Sequence, residues 1–308
     1  MGEWTHKHLL DLQDVSREDI ELILDTARSF REVSEREVKK VPALRGRTVA
    51  MLFAEPSTRT RVSFELAAKR LSADTLSIQA AASSLTKGET ILDTALNIQA
   101  MNVDLVVVRH QASGVPQMLA AGTKMAVVNA GDGCRAHPTQ ALLDMFTIRE
   151  KLGRLDNVKV AIIGDILHSR VARSNIAGLT RMGAKVTVCG PSTLLPIGIE
   201  EMGVEAVYDI NRALKDADVV MALRMQKERQ QQSFLPSVAE YVREFCVTAE
   251  RLRKARPGAL VMHPGPTNRG IEIAAEVADG PQSVILEQVT NGIAIRMAVL
   301  YLLLGRKV

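Results

Sequence analysis

The chain has 308 residues, enough for about two domains of ~150 residues, and its 46% hydrophobic and 24% charged residues exclude a disordered or fibrous protein. With 39 Lys and Arg against 35 Asp and Glu, the net charge is only +4, and basic residues form no blocks. The six Phe, three Tyr and one Trp are scattered, so a nucleic-acid-binding protein is disfavoured and a small anionic ligand is weakly favoured.

Short hydrophobic runs alternate with helical patterns along most of the chain. Apolar residues from Ile20 to Ala27 recur at helical spacing and predict an opening helix. The first half then predicts strands at 48–53, 75–78, 105–108 and 125–128 and helices at 62–71 and 90–101. The second half repeats the pattern with strands at 158–163, 185–189, 219–221 and 259–262. Continuous strands of this kind are typical of parallel sheets covered by helices, so we expect an α/β fold of two domains, each a mostly parallel sheet flanked by helices.

The boundary between the domains is predicted near the glycine-rich turn at 131–133. The segment that follows, 138–153, has the pattern of a long helix leading into the second sheet. A last helical pattern covers 290–304, and composition alone assigns it to neither domain.

The segment EPSTRTR at 55–61 lies between a predicted strand and a predicted helix. A hydroxyl-rich turn before a helix presents free backbone N–H groups and a partial positive charge, and Arg59 adds a bidentate donor. This chemistry suits a phosphate group. An N-capped surface helix with incidental arginines is the alternative. A nucleotide P-loop is not supported, because G-x-x-x-x-G-K-[ST] is absent.

Polar residues also follow several other predicted strands, at the edge where open α/β sheets bind ligands. Each of them alone is more often a helix cap or a solvated strand end, but together they indicate a site. They are Arg109, His137, Arg170, Arg224 and His263.

Two other sites are disfavoured by the motifs. The segment GDILHSR has one glycine where a dinucleotide fingerprint needs G-x-G-x-x-G. Cys134 and His137 lack a second Cys/His pair to complete a zinc site, so no metal is predicted. His168 is interpreted as a solvated loop residue.

Seven motifs together resemble the catalytic chains of aspartate carbamoyltransferases over nearly the whole length. STRTR and HPTQ mark carbamoyltransferases generally, whereas the Lys-Gly-Glu loop and RxQxER indicate the aspartate branch. The ornithine branch is expected to carry a Cys-containing HCLP-type motif where this chain has HPGP. The motifs are SxRTR at 57–61, SxxxKGE at 83–89, Arg109, HPTQ at 137–140, GDxxxSR at 164–170, RxQxER at 224–229 and HPxP at 263–266.

The resemblance implies a role for each matching residue. The carbamoyl phosphate site is expected to contain Ser57, Thr58, Arg59, Thr60, Arg109, His137, Gln140, Gly265 and Pro266. The catalytic groups that polarise the carbonyl are expected to be Thr60, Arg109 and His137. Aspartate is expected to bind to Lys87, Arg170, Arg224 and Gln226, with Ser83 and Lys87 supplied by a neighbouring subunit.

The resemblance also implies the reaction and the assembly. Carbamoyl phosphate and L-aspartate would give N-carbamoyl-L-aspartate and phosphate, an early step of pyrimidine biosynthesis, without a cofactor. Residues 1–135 with 290–308 would bind carbamoyl phosphate, and 136–289 would bind aspartate. A homotrimer is expected, in some members with regulatory chains or dihydroorotase.

Two alternatives for the activity stay open: a carbamoyltransferase for another amine such as ornithine, and a non-catalytic scaffold for a dihydroorotase.

The charged N-terminal segment lacks the apolar core of a signal peptide, and no apolar run reaches ~18 residues. The three separate cysteines suit free thiols. We therefore expect a cytoplasmic protein without a membrane span.

Overall fold

The computed structural model describes residues 4–79, 89–225 and 237–305. Contacts divide the chain into two compact units. One consists of Met1–Leu142 with Thr290–Val308, and the other of Leu143–Val289. One division lies between residues 142 and 143, inside the helix that follows the turn 131–133, and the other lies between residues 289 and 290.

The first unit contains a four-stranded parallel sheet in the order β2-β1-β3-β4. Strands β1 and β3 are neighbours although β2 separates them in sequence, so the strand order reverses between them. Helices follow the strands in the alternation that the sequence predicted. The elements are α1 (Arg17–Glu35), β1 (Thr48–Phe53), α2 (Thr58–Arg70), β2 (Asp74–Gln79), α3 (Ile91–Ala100), β3 (Leu105–His110), α4 (Val115–Gly122) and β4 (Ala126–Asp132).

The second unit contains a five-stranded parallel sheet in the order β7-β6-β5-β8-β9. Here the order reverses between β5 and β8. Helix α5 (Pro138–Leu152) precedes this sheet and α11 (Ile285–Leu304) ends the described fold. Between them lie β5 (Lys159–Ile163), α6 (Arg170–Arg181), β6 (Lys185–Cys189), β7 (Glu205–Val207), α7 (Ile210–Leu214), β8 (Val219–Ala222), α8 (Val238–Phe245), α9 (Ala249–Leu252), β9 (Leu260–Met262) and α10 (Ala275–Ala278).

The hydrophobic runs of both sheets are buried. Leu52, Val106 and Val108 of the first sheet and Val220 and Val261 of the second are all fully enclosed. Burial on both faces explains why these strands are continuously apolar rather than alternating. The predicted fold class is confirmed. Among the helices of the described residues, none has the length and apolar character that a membrane span requires.

Candidate active site

The phosphate-type motif lies at the start of α2 in the first unit. The helix begins at Thr58, four residues before the predicted start at 62, so Thr58, Arg59 and Thr60 form its first turn. Ser57 occupies the N-cap position, but its side chain makes no capping hydrogen bond, and the first turn has no acidic residue. The helix N-terminus therefore keeps its donor groups and partial positive charge for an anion.

Arg109 lies in β3, next to the carboxyl end of β1. It occupies the same register position as Phe53, the last residue of β1. Its Nη1 donates to the Ala130 carbonyl at 2.9 Å, and its Nη2 donates to Glu55 Oε1 at 2.8 Å. The Arg109 side chain is only 11% exposed, and that of Glu55 is 20% exposed. The guanidinium is thus held at the point where the strand order reverses, which is where open α/β sheets bind ligands.

His137 and Gln140 lie at the start of α5, after the turn that leaves β4. Both residues are buried. The His137 carbonyl accepts from the Gln140 amide at 3.0 Å, so both belong to the first turn of the helix. Strands β1, β3 and β4 are adjacent in one parallel sheet. The sheet therefore brings the STRTR segment, Arg109 and His137 to the same edge.

A buried carboxylate shapes the turn before His137. Asp132 Oδ1 accepts from Asn129 Nδ2 at 2.8 Å and from the Ala136 amide at 3.2 Å. Its Oδ2 accepts from the Gly114 amide at 2.8 Å. In the sequence, Asp132 is only part of a predicted turn. Its position between two glycines was the available signal for a tight, specifically bonded loop.

In the second unit, Arg170 is the first residue of α6 and is buried. Ser169 caps the helix by accepting from the Ala172 amide at 3.1 Å. In the loop between β5 and α6, Asp165 Oδ1 accepts from the His168 amide and lies 2.9 Å from His168 Nδ1. The interpretation of His168 as a solvated residue is wrong, because its side chain is only 14% exposed and is bonded within the loop.

The HPGP segment follows β9. His263 is buried, its Nε2 lies 3.1 Å from Glu272 Oε1, and its Nδ1 accepts from the Gly265 amide at 2.8 Å. Since Nδ1 is the acceptor, Nε2 carries the proton and donates to Glu272. The Gly265–Pro266 peptide bond is cis. No sequence signal pointed to Glu272, which lies nine residues beyond its partner.

Arg224 is half-buried and lies two residues after the end of β8. Because β5, β8 and β9 are adjacent strands of one sheet, Arg170, Arg224 and His263 follow the same edge. Three of the predicted site residues, Ser83, Lys87 and Gln226, lie outside the described residues.

Comparison with known families matches both units. Residues 7–150 match the family described as "Aspartate/ornithine carbamoyltransferase, carbamoyl-P binding domain", and residues 156–303 match "Aspartate/ornithine carbamoyltransferase, Asp/Orn binding domain". The chain belongs to the aspartate/ornithine carbamoyltransferase family. The resemblance inferred from the motifs is thereby confirmed.

Relatives within this carbamoyltransferase family match over nearly their whole length. The chain is 57% identical to the "Aspartate carbamoyltransferase catalytic subunit" of Syntrophus aciditrophicus, covering 98% of this chain and 99% of the relative. It is 61% identical to the protein of the same description from Pelotomaculum thermopropionicum, covering 97% of each.

Solved carbamoyltransferase structures share the fold. An ornithine carbamoyltransferase from Pyrococcus furiosus has a TM-score of 0.90 and 34% identity, and covers 100% of both chains. Aspartate transcarbamoylase from Trypanosoma cruzi in complex with N-(phosphonacetyl)-L-aspartic acid also has a TM-score of 0.90, with 30% identity over 98% of this chain and 97% of that one. The fold alone therefore does not separate the two substrates.

Proposed function

We propose that the chain is the catalytic subunit of an aspartate carbamoyltransferase, which transfers the carbamoyl group of carbamoyl phosphate to the amine of L-aspartate. The observation that carries this choice is the 57–61% identity, over nearly the full length, to proteins described as aspartate carbamoyltransferase catalytic subunits. The HPGP segment, which lacks the cysteine expected of the ornithine branch, supports the same choice.

The first unit supplies the proposed carbamoyl phosphate site. Backbone N–H groups and hydroxyls at the start of α2 bind phosphate oxygens, and the guanidiniums of Arg59 and Arg109 neutralise their charge. Gln140 is assigned to the carbamoyl amide, and Gly265 and Pro266 are assigned backbone contacts with both substrates. The phosphate residues are Ser57, Thr58, Arg59, Thr60 and Arg109.

Carbonyl polarisation is assigned to three donors: the Thr60 hydroxyl, the Arg109 guanidinium and the His137 imidazole. When the aspartate amine attacks the carbamoyl carbon, negative charge develops on the carbonyl oxygen, and the phosphate leaves as the C–O bond breaks. A preorganised donor at such an oxygen accelerates reaction by roughly 10²- to 10³-fold. Thr60 and His137 are both buried, which strengthens their hydrogen bonds by excluding water.

The second unit supplies the proposed aspartate site. Arg170 and Arg224 present forked cations suited to the two carboxylates of aspartate. Gln226 and Lys87 complete the set, and both lie outside the described residues. The reaction proceeds by direct attack of the amine, so the work of these residues is to neutralise and orient an anion. Holding two reactants in position can supply ~7 to 11 kcal/mol of barrier reduction.

The proposed assembly is a homotrimer in which Ser83 and Lys87 of a neighbouring chain complete each site. Regulatory chains or dihydroorotase are proposed further partners. The product, N-carbamoyl-L-aspartate, is a pyrimidine precursor. We place the enzyme in the cytoplasm, since all three cysteines are free thiols and two of them are buried.

A colorimetric assay for the ureido product tests the proposal. The purified chain receives carbamoyl phosphate with L-aspartate or with L-ornithine. Product from aspartate alone is expected, and Arg170→Gln should abolish most of it while leaving the fold intact by circular dichroism. Product from ornithine alone would overturn the substrate assignment. No product from either amine would favour the scaffold alternative.

A further inference from the structure

A series of hydrogen-bonded, buried polar side chains runs through the second unit from the HPGP segment to α6. Gln288 Oε1 accepts from the His263 amide at 3.0 Å, and Gln288 Nε2 donates to Asp144 Oδ1 at 2.7 Å. Asp144 Oδ2 accepts from Asn175 Nδ2 at 2.8 Å. All four residues are at least 97% buried. The three side chains Gln288, Asp144 and Asn175 are called the buried relay below.

Both ends of the buried relay lie at segments of the proposed active site: the HPGP segment, assigned to both substrates, and the start of α6 with Arg170, assigned to aspartate. At one end, the His263 amide begins the HPGP segment. At the other, Asn175 lies in α6, where its Nδ2 also donates to the Val171 carbonyl at 3.1 Å, one residue after Arg170. Gln288 is in α11 and Asp144 is in α5, so the relay joins four separate elements of the unit.

The hydrogen-bond polarity of the relay is fixed. Gln288 accepts at one end of its amide and donates at the other, and Asp144 accepts at both oxygens. A buried carboxylate that loses a donor is strongly destabilised, because water does not replace the lost bond. The arrangement therefore has one satisfied pattern, and it sets the position of α6 relative to the HPGP segment.

The HPGP segment is held on its other side as well. Glu272 Oε1 accepts from His263 Nε2 and also from the Asn268 amide at 2.5 Å. The His263 ring in turn accepts from the Gly265 amide. The imidazole is therefore locked, and the backbone amide of the same residue is held by Gln288.

We propose that Gln288, Asp144 and Asn175 are positioning residues that hold the HPGP segment and Arg170 at the separation needed to bind aspartate. The inference rests on the proposed function for the identity of the ligand. Since the relay lies wholly in the second unit, whereas the STRTR segment, Arg109 and His137 lie in the first, its disruption weakens aspartate binding more than carbamoyl phosphate binding.

Two isosteric variants break the relay, and their combination restores it. In Gln288→Glu, a carboxylate oxygen faces Asp144 Oδ1. In Asp144→Asn, one of the two donors, Gln288 Nε2 or Asn175 Nδ2, faces an amide nitrogen. In the double variant, the new amide donates to the new carboxylate and still accepts from Asn175. The three hydrogen bonds of the relay are then present, with the middle one reversed, and the total charge is that of the parent.

Each single variant is expected to raise the KM for aspartate about tenfold, with a smaller rise in the KM for carbamoyl phosphate, which Gly265 and Pro266 also contact. The double variant should return the aspartate KM to within about threefold of the parent. Gln288→Glu should also become worse as pH rises, because two facing carboxylates share a proton only at low pH. The double variant should lack this dependence.

Gln282→Glu is the matched control. Gln282 is half-buried and donates to the Ala259 carbonyl at 2.9 Å. Ala259 precedes the amino end of β9, whereas the HPGP segment follows its carboxyl end. The substitution therefore makes the same chemical change outside the relay. It should leave both KM values unchanged. A double variant no better than either single variant, or equal increases in both KM values, would overturn the proposal.

Hydrogen–deuterium exchange provides a readout that does not depend on the substrate. In the single variants, amides of 170–176 and 263–268 should exchange faster, and the double variant should restore their protection. Unchanged exchange in both segments would also overturn the positioning role. A parent chain inactive with aspartate but with the expected exchange pattern would overturn the proposed function alone.

Discussion

Arg109 is ion-paired to Glu55, with Nη2 and Oε1 2.8 Å apart, at the edge of the sheet assigned to carbamoyl phosphate. The Glu55 carboxylate thus occupies one side of the Arg109 guanidinium, which is proposed to bind the phosphate group. Both side chains are mostly buried, so screening by salt is incomplete. An incoming phosphate and Glu55 compete for the same cation.

Removing the charge of Glu55 should therefore tighten anion binding. Glu55→Gln keeps an oxygen that accepts from Arg109 but removes the repulsion toward phosphate. We expect the Kd for inorganic phosphate, measured by calorimetry, to fall about fivefold, which corresponds to ~1 kcal/mol. Glu21→Gln on α1, where Glu21 pairs with Arg17 at the surface, is the control and should change nothing. Weaker phosphate binding in Glu55→Gln would contradict the competition.

Asp132 should control both stability and the placement of His137. In Asp132→Asn, an amide nitrogen replaces one of two oxygens that together accept three N–H donors. One donor then loses its partner in a buried site, at a cost of about 1–3 kcal/mol. We expect a lower urea midpoint and a reduced kcat, because the turn leads directly into His137. The exposed Asp14→Asn serves as the control, and equal midpoints for the two variants would disprove the role of the turn.

The sequence was sufficient where hydrophobicity alone decides the structure. The strand at 185–189 was predicted with its observed limits, and the sheets are parallel as expected. Strand β7 was missed because its three residues offer no hydrophobic run, with Glu205 exposed and Val207 buried. The start of α2 was predicted late because Thr58 to Arg61 carry no apolar residue, although their backbone is helical.

Site residues are predictable from the sequence only where they adjoin a strand or helix that the hydrophobic pattern identifies. Arg109, His137 and Arg170 could be found because each follows or ends a hydrophobic strand or begins a helix. The partners that fix the site are not visible in this way. Asp144 and Gln288 are 144 residues apart, and Asp144 and Asn175 are 31 apart. Such pairs depend on how the helices pack, which local periodicity does not specify.

Stability should rise with pH because of His8. Its Nδ1 accepts from the Val127 amide at 3.1 Å, which requires the neutral ring. Burial lowers the pKa of His8 in the folded chain, and nearby Lys7 lowers it further. Just below pH 6.5, the unfolded chain therefore binds more protons than the folded chain does. The stability contributed by neutral His8 is present above pH 6.5 and is lost as the pH falls through the pKa of His8 in the folded chain. Urea midpoints at pH 5.5 and 7.5 should differ less in His8→Gln, which keeps an acceptor without titrating. An identical pH slope in the variant would contradict this account.

Mixed trimers test whether the active site is shared between chains. Arg59→Ala removes a phosphate donor from one chain, and Lys87→Ala removes the residue proposed to enter from its neighbour. In a trimer containing both variants, one of three sites has each residue intact, so random reassortment should give about a quarter of the parent activity. Variants mixed without reassortment should remain inactive.

A second mixture provides the control for this experiment. Arg59→Ala and Arg109→Ala alter the same side of the site, so every chain in their mixed trimers lacks one phosphate donor. No activity should return, although subunits exchange equally well. Recovery in the Arg59→Ala and Lys87→Ala mixture alone identifies a site built from two chains. Equal inactivity of both reassorted mixtures would mean that Lys87 and Arg59 act within one chain.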